Sequence, residues 1–94
     1  MTVGIIRHRV RDFEEWKKAF LEHSAIRKAA GCKGSRVMQM EDDPNNIVVI
    51  LEFDTLANFQ AFGDDPDLQQ AMEAAGVLES PRVYALTDGE TFPV

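Results

Sequence analysis

Gly34 to Phe53 reads GSRVMQMEDDPNNIVVILEF, and its two halves point to a single hairpin. From Gly34 to Glu41 the side chains alternate, with Arg36, Met38 and Met40 set against Val37 and Gln39, the period of a strand. Asp42-Asp43-Pro44-Asn45-Asn46 then crowds five turn-forming residues together before the apolar run Ile47 to Phe53. The spacing predicts an antiparallel hairpin over 34–53. Upstream, Val3 to Val10 is rich in β-branched residues and predicts a strand. Gly4, Ile6, His8 and Val10 would share one face, and Val3, Ile5, Arg7 and Arg9 the other. Asp12 with Glu15 three positions on forms a capping-box pattern, and helix formers then continue to Ala30 before Gly31, which predicts a helix of about five turns. Downstream, Thr55 caps a short helix carrying Leu56, Phe59 and Phe62. After a break at Gly63 to Asp65, a second helix begins at Pro66, with Leu68, Met72 and Ala75 inward, and runs to Gly76. Arg82 to Thr87 predicts a last strand, and Phe92-Pro93-Val94 is an apolar tail suited to docking on a partner subunit.

The element order is β-α-β-β-α-β, the split, ferredoxin-like pattern of an α+β fold. Right-handed crossovers put both helical segments on one side of a four-stranded antiparallel sheet. Val3, Ile5, Val37 and either parity of Ile47 to Phe53 leave apolar groups on both sheet faces, so a lone chain would expose one of them. A homodimer through sheet-to-sheet packing is expected, because a two-fold interface buries the same patch twice.

The 94 residues, 45% hydrophobic and 28% charged, suit one globular domain over residues 1–94. No apolar run approaches the ~20 residues of a bilayer span, and the first residues lack the charged region of a signal peptide, so a cytoplasmic protein without membrane contact is expected. The one cysteine, Cys32, excludes an internal disulfide, and with two histidines it cannot build a tetrahedral zinc site without carboxylates or a second chain. Net charge is −6, which argues against nucleic acid as a partner. That average conceals an asymmetry: nine basic residues face four acidic ones through Arg36, whereas Arg82 alone opposes twelve acids afterwards. The two parts should attract each other. Asp42-Asp43 and Asp64-Asp65-Pro66-Asp67 lack the alternating ligands and closing Glu of an EF-hand loop, so no metal is expected. There is neither a phosphate-binding glycine loop nor a dinucleotide fingerprint, and no cofactor is expected.

Chemistry concentrates on the first helix. At 100° per residue, Phe13, Trp16, Ala19, Phe20, His23, Arg27 and Ala30 fall on one stripe, so an ionisable pair is aimed at the sheet rather than at water. One reading makes them a pocket wall between helix and sheet, with neutral His23 as base and Arg27 holding an anionic oxygen. The other makes His23 a hydrogen-bonded core residue and Arg27 a side chain snorkelling to the helix end. His8, on an apolar strand face, is a further candidate, and the hydroxyl of Tyr84, the only tyrosine, could orient a phenol or carbonyl. Cys32, near Lys28 and Lys33, has no His or Asn placed by sequence to make it a nucleophile.

The segment Phe13-Glu14-Glu15-Trp16-Lys17-Lys18-Ala19-Phe20 leading to His23, Arg27 and Gly31, taken with the element order, resembles the dimeric α+β barrel superfamily. More narrowly, it is similar to the small antibiotic-biosynthesis-monooxygenase-like proteins, some of them called cyclases. The resemblance covers the first strand through Tyr84. It rests on a Trp-x3-Phe-x2-His-x3-Arg helix, an acidic Pro-Asn turn and a Pro-Asp-Leu helix start, motifs that specify fold better than reaction. It implies a cofactor-independent oxygenase or cyclase acting on a small aromatic or polyketide-like molecule. His23 would take a proton, Arg27 with Arg36 or Tyr84 would stabilise the resulting anion, and Trp16, Phe20 and Phe59 would hold the flat substrate. Haem-degrading relatives use a histidine in the second helical region, and residues 55 to 76 contain none. A non-catalytic ligand-binding or stress-associated homodimer is the alternative.

Overall fold

In the computed structural model, which describes residues 1–94, the chain forms β1 (Thr2–Arg9), α1 (Phe13–Glu22), α2 (Ser24–Ala30), β2 (Cys32–Met40), β3 (Asp43–Phe53), α3 (Leu56–Asp64), α4 (Pro66–Ala74) and β4 (Arg82–Thr87). The four strands make one antiparallel sheet in the order β2-β3-β1-β4. This is the α+β, ferredoxin-like arrangement expected from the sequence, with four helical segments. No helix is long and apolar enough to cross a membrane.

Strand alternation sets the core. On β3, Ile47, Val49, Leu51 and Phe53 are at most 3% exposed, while Val48 and Ile50 between them are half-buried on the opposite face. Cross-strand pairing carries the same parity through the sheet: Ile47 faces His8, Val49 faces Ile6 and Leu51 faces Gly4. These side chains meet Trp16 and Phe59 from the helical layer, and each large apolar group so buried contributes roughly 1.5–3 kcal/mol. Gly4 is required at its position because a Cβ there would fall within the Phe59 ring. Gly31 ends α2 with φ 109°, a left-handed value that suits glycine. Asp12, Thr55 and Asp65 cap α1, α3 and α4, accepting from Glu15 N, Asn58 N and Asp67 N at 2.9, 3.1 and 2.9 Å.

Three local expectations are corrected. The first helix is not continuous but breaks at His23, whose φ and ψ are −92° and 9°. Side chains bridge the joint: His23 Nδ1 donates to the Ala19 carbonyl at 2.8 Å and Arg27 Nη1 to the Phe20 carbonyl at 2.7 Å, and both carbonyls also accept from the His23 backbone N–H. The hairpin turn is also shorter than its five turn-forming residues suggest. Only Glu41 and Asp42 make it, and β3 already begins at Asp43, which pairs with Met40 beyond a bulge. Asn45 and Asn46 act instead as ties: the Asn45 Oδ1 accepts from the Phe13 N–H, and the Asn46 Oδ1 from Arg7 Nη1, both at 2.9 Å. Finally, β2 starts at Cys32 rather than Gly34, with a bulge at Lys33.

Candidate functional site

A cavity of about 440 Å³ lies between the helices and the sheet. Its floor is the helix-facing parity of β1 and β3, with Ile6, His8, Val49 and Leu51. One wall is the inward stripe of α1 and α2, and the other comes from α3 and α4 through Phe62, Leu68, Ala71 and Met72. The lining is mostly apolar with a few polar groups, the usual constitution of a small-molecule site.

The helical wall is built around a stack. Trp16 and Phe20, one turn apart on α1, lie with ring centroids 4.9 Å apart and planes 21° from parallel. His8 meets Trp16 edge-on at 5.9 Å. The Arg27 guanidinium carbon sits 3.5 Å from the Phe20 ring centroid, a cation–π contact. Arg27 is 8% exposed, and its only side-chain hydrogen bond goes to the Phe20 carbonyl; no carboxylate lies within ion-pair distance. Burial pushes its pKa down, but an arginine remains charged in a protein. The site therefore carries a desolvated cation with no internal counter-ion.

His23 sits at the joint between α1 and α2 on the cavity wall. A carbonyl can only accept, so the bond to Ala19 places the hydrogen on Nδ1 and leaves the Nε2 lone pair of the neutral ring free. His8 on the floor is 3% exposed, and its Nδ1 has neither a protein partner nor solvent. Burial holds its imidazole below the usual pKa, outweighing the pull of the Glu79 carboxylate, so it is neutral. Asp65 and Asp67, at the start of α4, also reach the lining.

Five of the residues singled out in the sequence, His8, Trp16, Phe20, His23 and Arg27, thus surround one space. Three others do not join them. Phe59 is buried against Gly4 and packs edge-on to Phe53 at 5.4 Å, beneath the core rather than in the cavity. Arg36 and Tyr84 lie in one cross-strand row with Ile50 and Ile5, the parity that faces away from the helices. Neither is placed to meet an anion held by Arg27. The wall from α3 and α4 was visible in the sequence only as an inward apolar stripe. Periodicity shows that Leu68 and Met72 point inward, but not that they meet a space rather than other side chains.

Fold and site together describe a small α+β protein with a mostly apolar cavity lined also by two histidines, two aspartates and an arginine without an ion-pair partner. The family model for antibiotic biosynthesis monooxygenase matches residues 6–74, and the chain belongs to that family. Among solved structures, SnoaB, a cofactor-independent oxygenase from Streptomyces nogalater, is 18% identical, with 99% of this chain and 97% of that one covered and a TM-score of 0.76. A protein from Bordetella bronchiseptica, assigned by name to the antibiotic biosynthesis monooxygenases, is 17% identical over 95% and 97% of the two chains, with a TM-score of 0.78. A similarly assigned protein from Caulobacter crescentus is 19% identical over 95% and 91%, at 0.71. At these identities the likeness shows the fold alone. No curated protein sequence matches the chain.

Proposed function

We propose that the cavity binds a small, flat aromatic or polyketide-like molecule and removes a proton from it without a cofactor, as a monooxygenase or cyclase. The observation that carries this reading is the buried, unpaired Arg27 on the same wall as the free Nε2 of His23. His23 takes the proton of a phenol or an acidic C–H and becomes imidazolium. The electron pair left behind spreads onto the substrate oxygen, where Arg27 stabilises it in a dry site. The anion then meets dioxygen or an internal carbonyl. Trp16 and Phe20 supply the flat wall, and His8 closes the floor. The comparison with SnoaB supports a cofactor-independent route by analogy of fold. The 94 residues work as one domain, as a cytoplasmic homodimer whose bare sheet faces pack together.

Trp16 is the only tryptophan and reports on the wall directly. Titration with anthrones, naphthols, quinols and β-polyketone mimics is expected to give saturable quenching, lost in Arg27→Ala. Oxygen-consumption and cyclisation assays follow on the compounds that bind. Turnover should fall by roughly 10²–10⁴ in His23→Ala, and an unchanged rate would overturn the role of His23. A non-catalytic, ligand-binding or stress-associated role has one observation in its favour: the side chains of His23 and Arg27 brace the α1–α2 joint through Ala19 and Phe20. On that reading His23→Ala lowers the melting temperature and changes no reaction.

A further inference from the structure

A second recess, of about 280 Å³, shares Arg27 with the cavity. Ser24, Arg27 and Lys28 of α2 form one side, Lys33 and Ser35 of β2 the other, and Cys32 lies between them. Its residues differ from those of the cavity: three cations and two hydroxyls line it, and Cys32 is its one hydrophobic residue.

We propose that this recess is an oxyanion site and that the ligand is an amphiphile, its flat apolar body in the cavity and a carboxylate or phosphate group among Arg27, Lys28 and Lys33. The proposal rests on the cavity being a ligand site. Its support is electrostatic and geometric. The chain holds 16 acidic and 10 basic residues, so an acid is available for every cation, yet none lies within ion-pair distance of Arg27, Lys28 or Lys33. Asp54 feels the charge of Lys33 without forming an ion pair with it, and its Oδ1 accepts from the Thr55 N–H and Asn58 Nδ2 at 2.8 and 2.9 Å. Three cations around one hollow repel each other, and a bound anion relieves that repulsion. Arg27 is the pivot: it is 8% exposed, lines both spaces, and donates once, to Phe20, so the other N–H groups of its fork have no protein partner. The bulge at Lys33 and the left-handed turn at Gly31 bring the start of β2 back beside α2, which creates the recess. Serine hydroxyls on both sides add neutral donors suited to a tetrahedral or planar oxyanion.

Matched probes separate this proposal from the cavity reading. Quenching of Trp16 is to be followed with 2-naphthoate and with its neutral amide, in the unaltered protein and in Lys28→Ala/Lys33→Ala, whose exposed side chains support no packing. The acid should bind more tightly than the amide, weaken with added salt, and lose roughly tenfold in affinity in the double variant, the scale of two screened ion pairs. The amide's affinity should move less than twofold. Equal binding of the two probes, or an acid indifferent to both lysines and salt, overturns the anion site while leaving the cavity reading intact. If neither probe binds, the cavity reading falls and the anion site with it.

Discussion

At the scale of single residues, the least expected cost in the fold is His8. It is buried near the end of β1 with an unpartnered Nδ1, in a setting that favours the neutral ring. In the unfolded chain the same imidazole takes up a proton near pH 6.5, whereas the folded protein resists it to lower pH. Between those values the unfolded state binds more protons, so stability rises with pH and is lost as pH falls below about 6.5, by up to ~1.4 kcal/mol per unit. Urea midpoints measured from above neutrality down to about pH 5 should show that decline. His8→Phe, which keeps a ring against Trp16 and has no nitrogen to protonate, should flatten it; an equally steep profile would place the titration elsewhere.

Elements fit together here through a few close approaches. Gly4 on β1 lies under the ring of Phe59 from α3, so Gly4→Ala forces the ring or the helix to shift and should cost roughly 1–3 kcal/mol, read as a lowered urea midpoint with the m-value unchanged. Gly63 has open space around its Cα, and Gly63→Ala should be close to neutral or slightly stabilising in the same measurement. Much of this layer was legible from sequence, because alternation in Ile47 to Phe53 and capping at Asp12, Thr55 and Asp65 are local signals. The break at His23 was not: residues 13–30 contain neither glycine nor proline, so no local breaker marks the joint, and its side-chain bonds to Ala19 and Phe20 leave no trace in periodicity. The site followed the same division. A helical wheel finds Trp16, Phe20, His23 and Arg27 because one element carries them. Arg36 and Tyr84 were assigned to the pocket without knowing which strand parity meets the helices, and that is decided by pairing between distant strands.

The whole molecule is a two-layer slab of 34 × 33 × 20 Å with helices on one side of the sheet only. The far face presents Val3, Ile5, Val48 and Ile50 beside Tyr84 and Leu86, the last two about half exposed. The accessible surface is 6492 Å², against about 5,500 Å² for a folded monomer of this mass. That excess is on the scale of one partner's share in a standard interface. Sedimentation equilibrium at micromolar concentration is expected to give the dimer mass, and Ile5→Lys with Ile50→Lys to give the monomer. A monomeric wild-type chain would contradict the two-sheet packing. The strand order has a consequence for how the chain is assembled. Thr2 is paired with Phe53 on one side and Thr87 on the other, while β2 and β3 close on each other across the Glu41–Asp42 turn. The hairpin can zip as soon as it leaves the ribosome, but β1, made before either of its partners, keeps an open edge until β4 has been made. Closure of the sheet therefore waits on the pairing of β1 with β4, the strands farthest apart in this sequence and the contact with the largest loop to close.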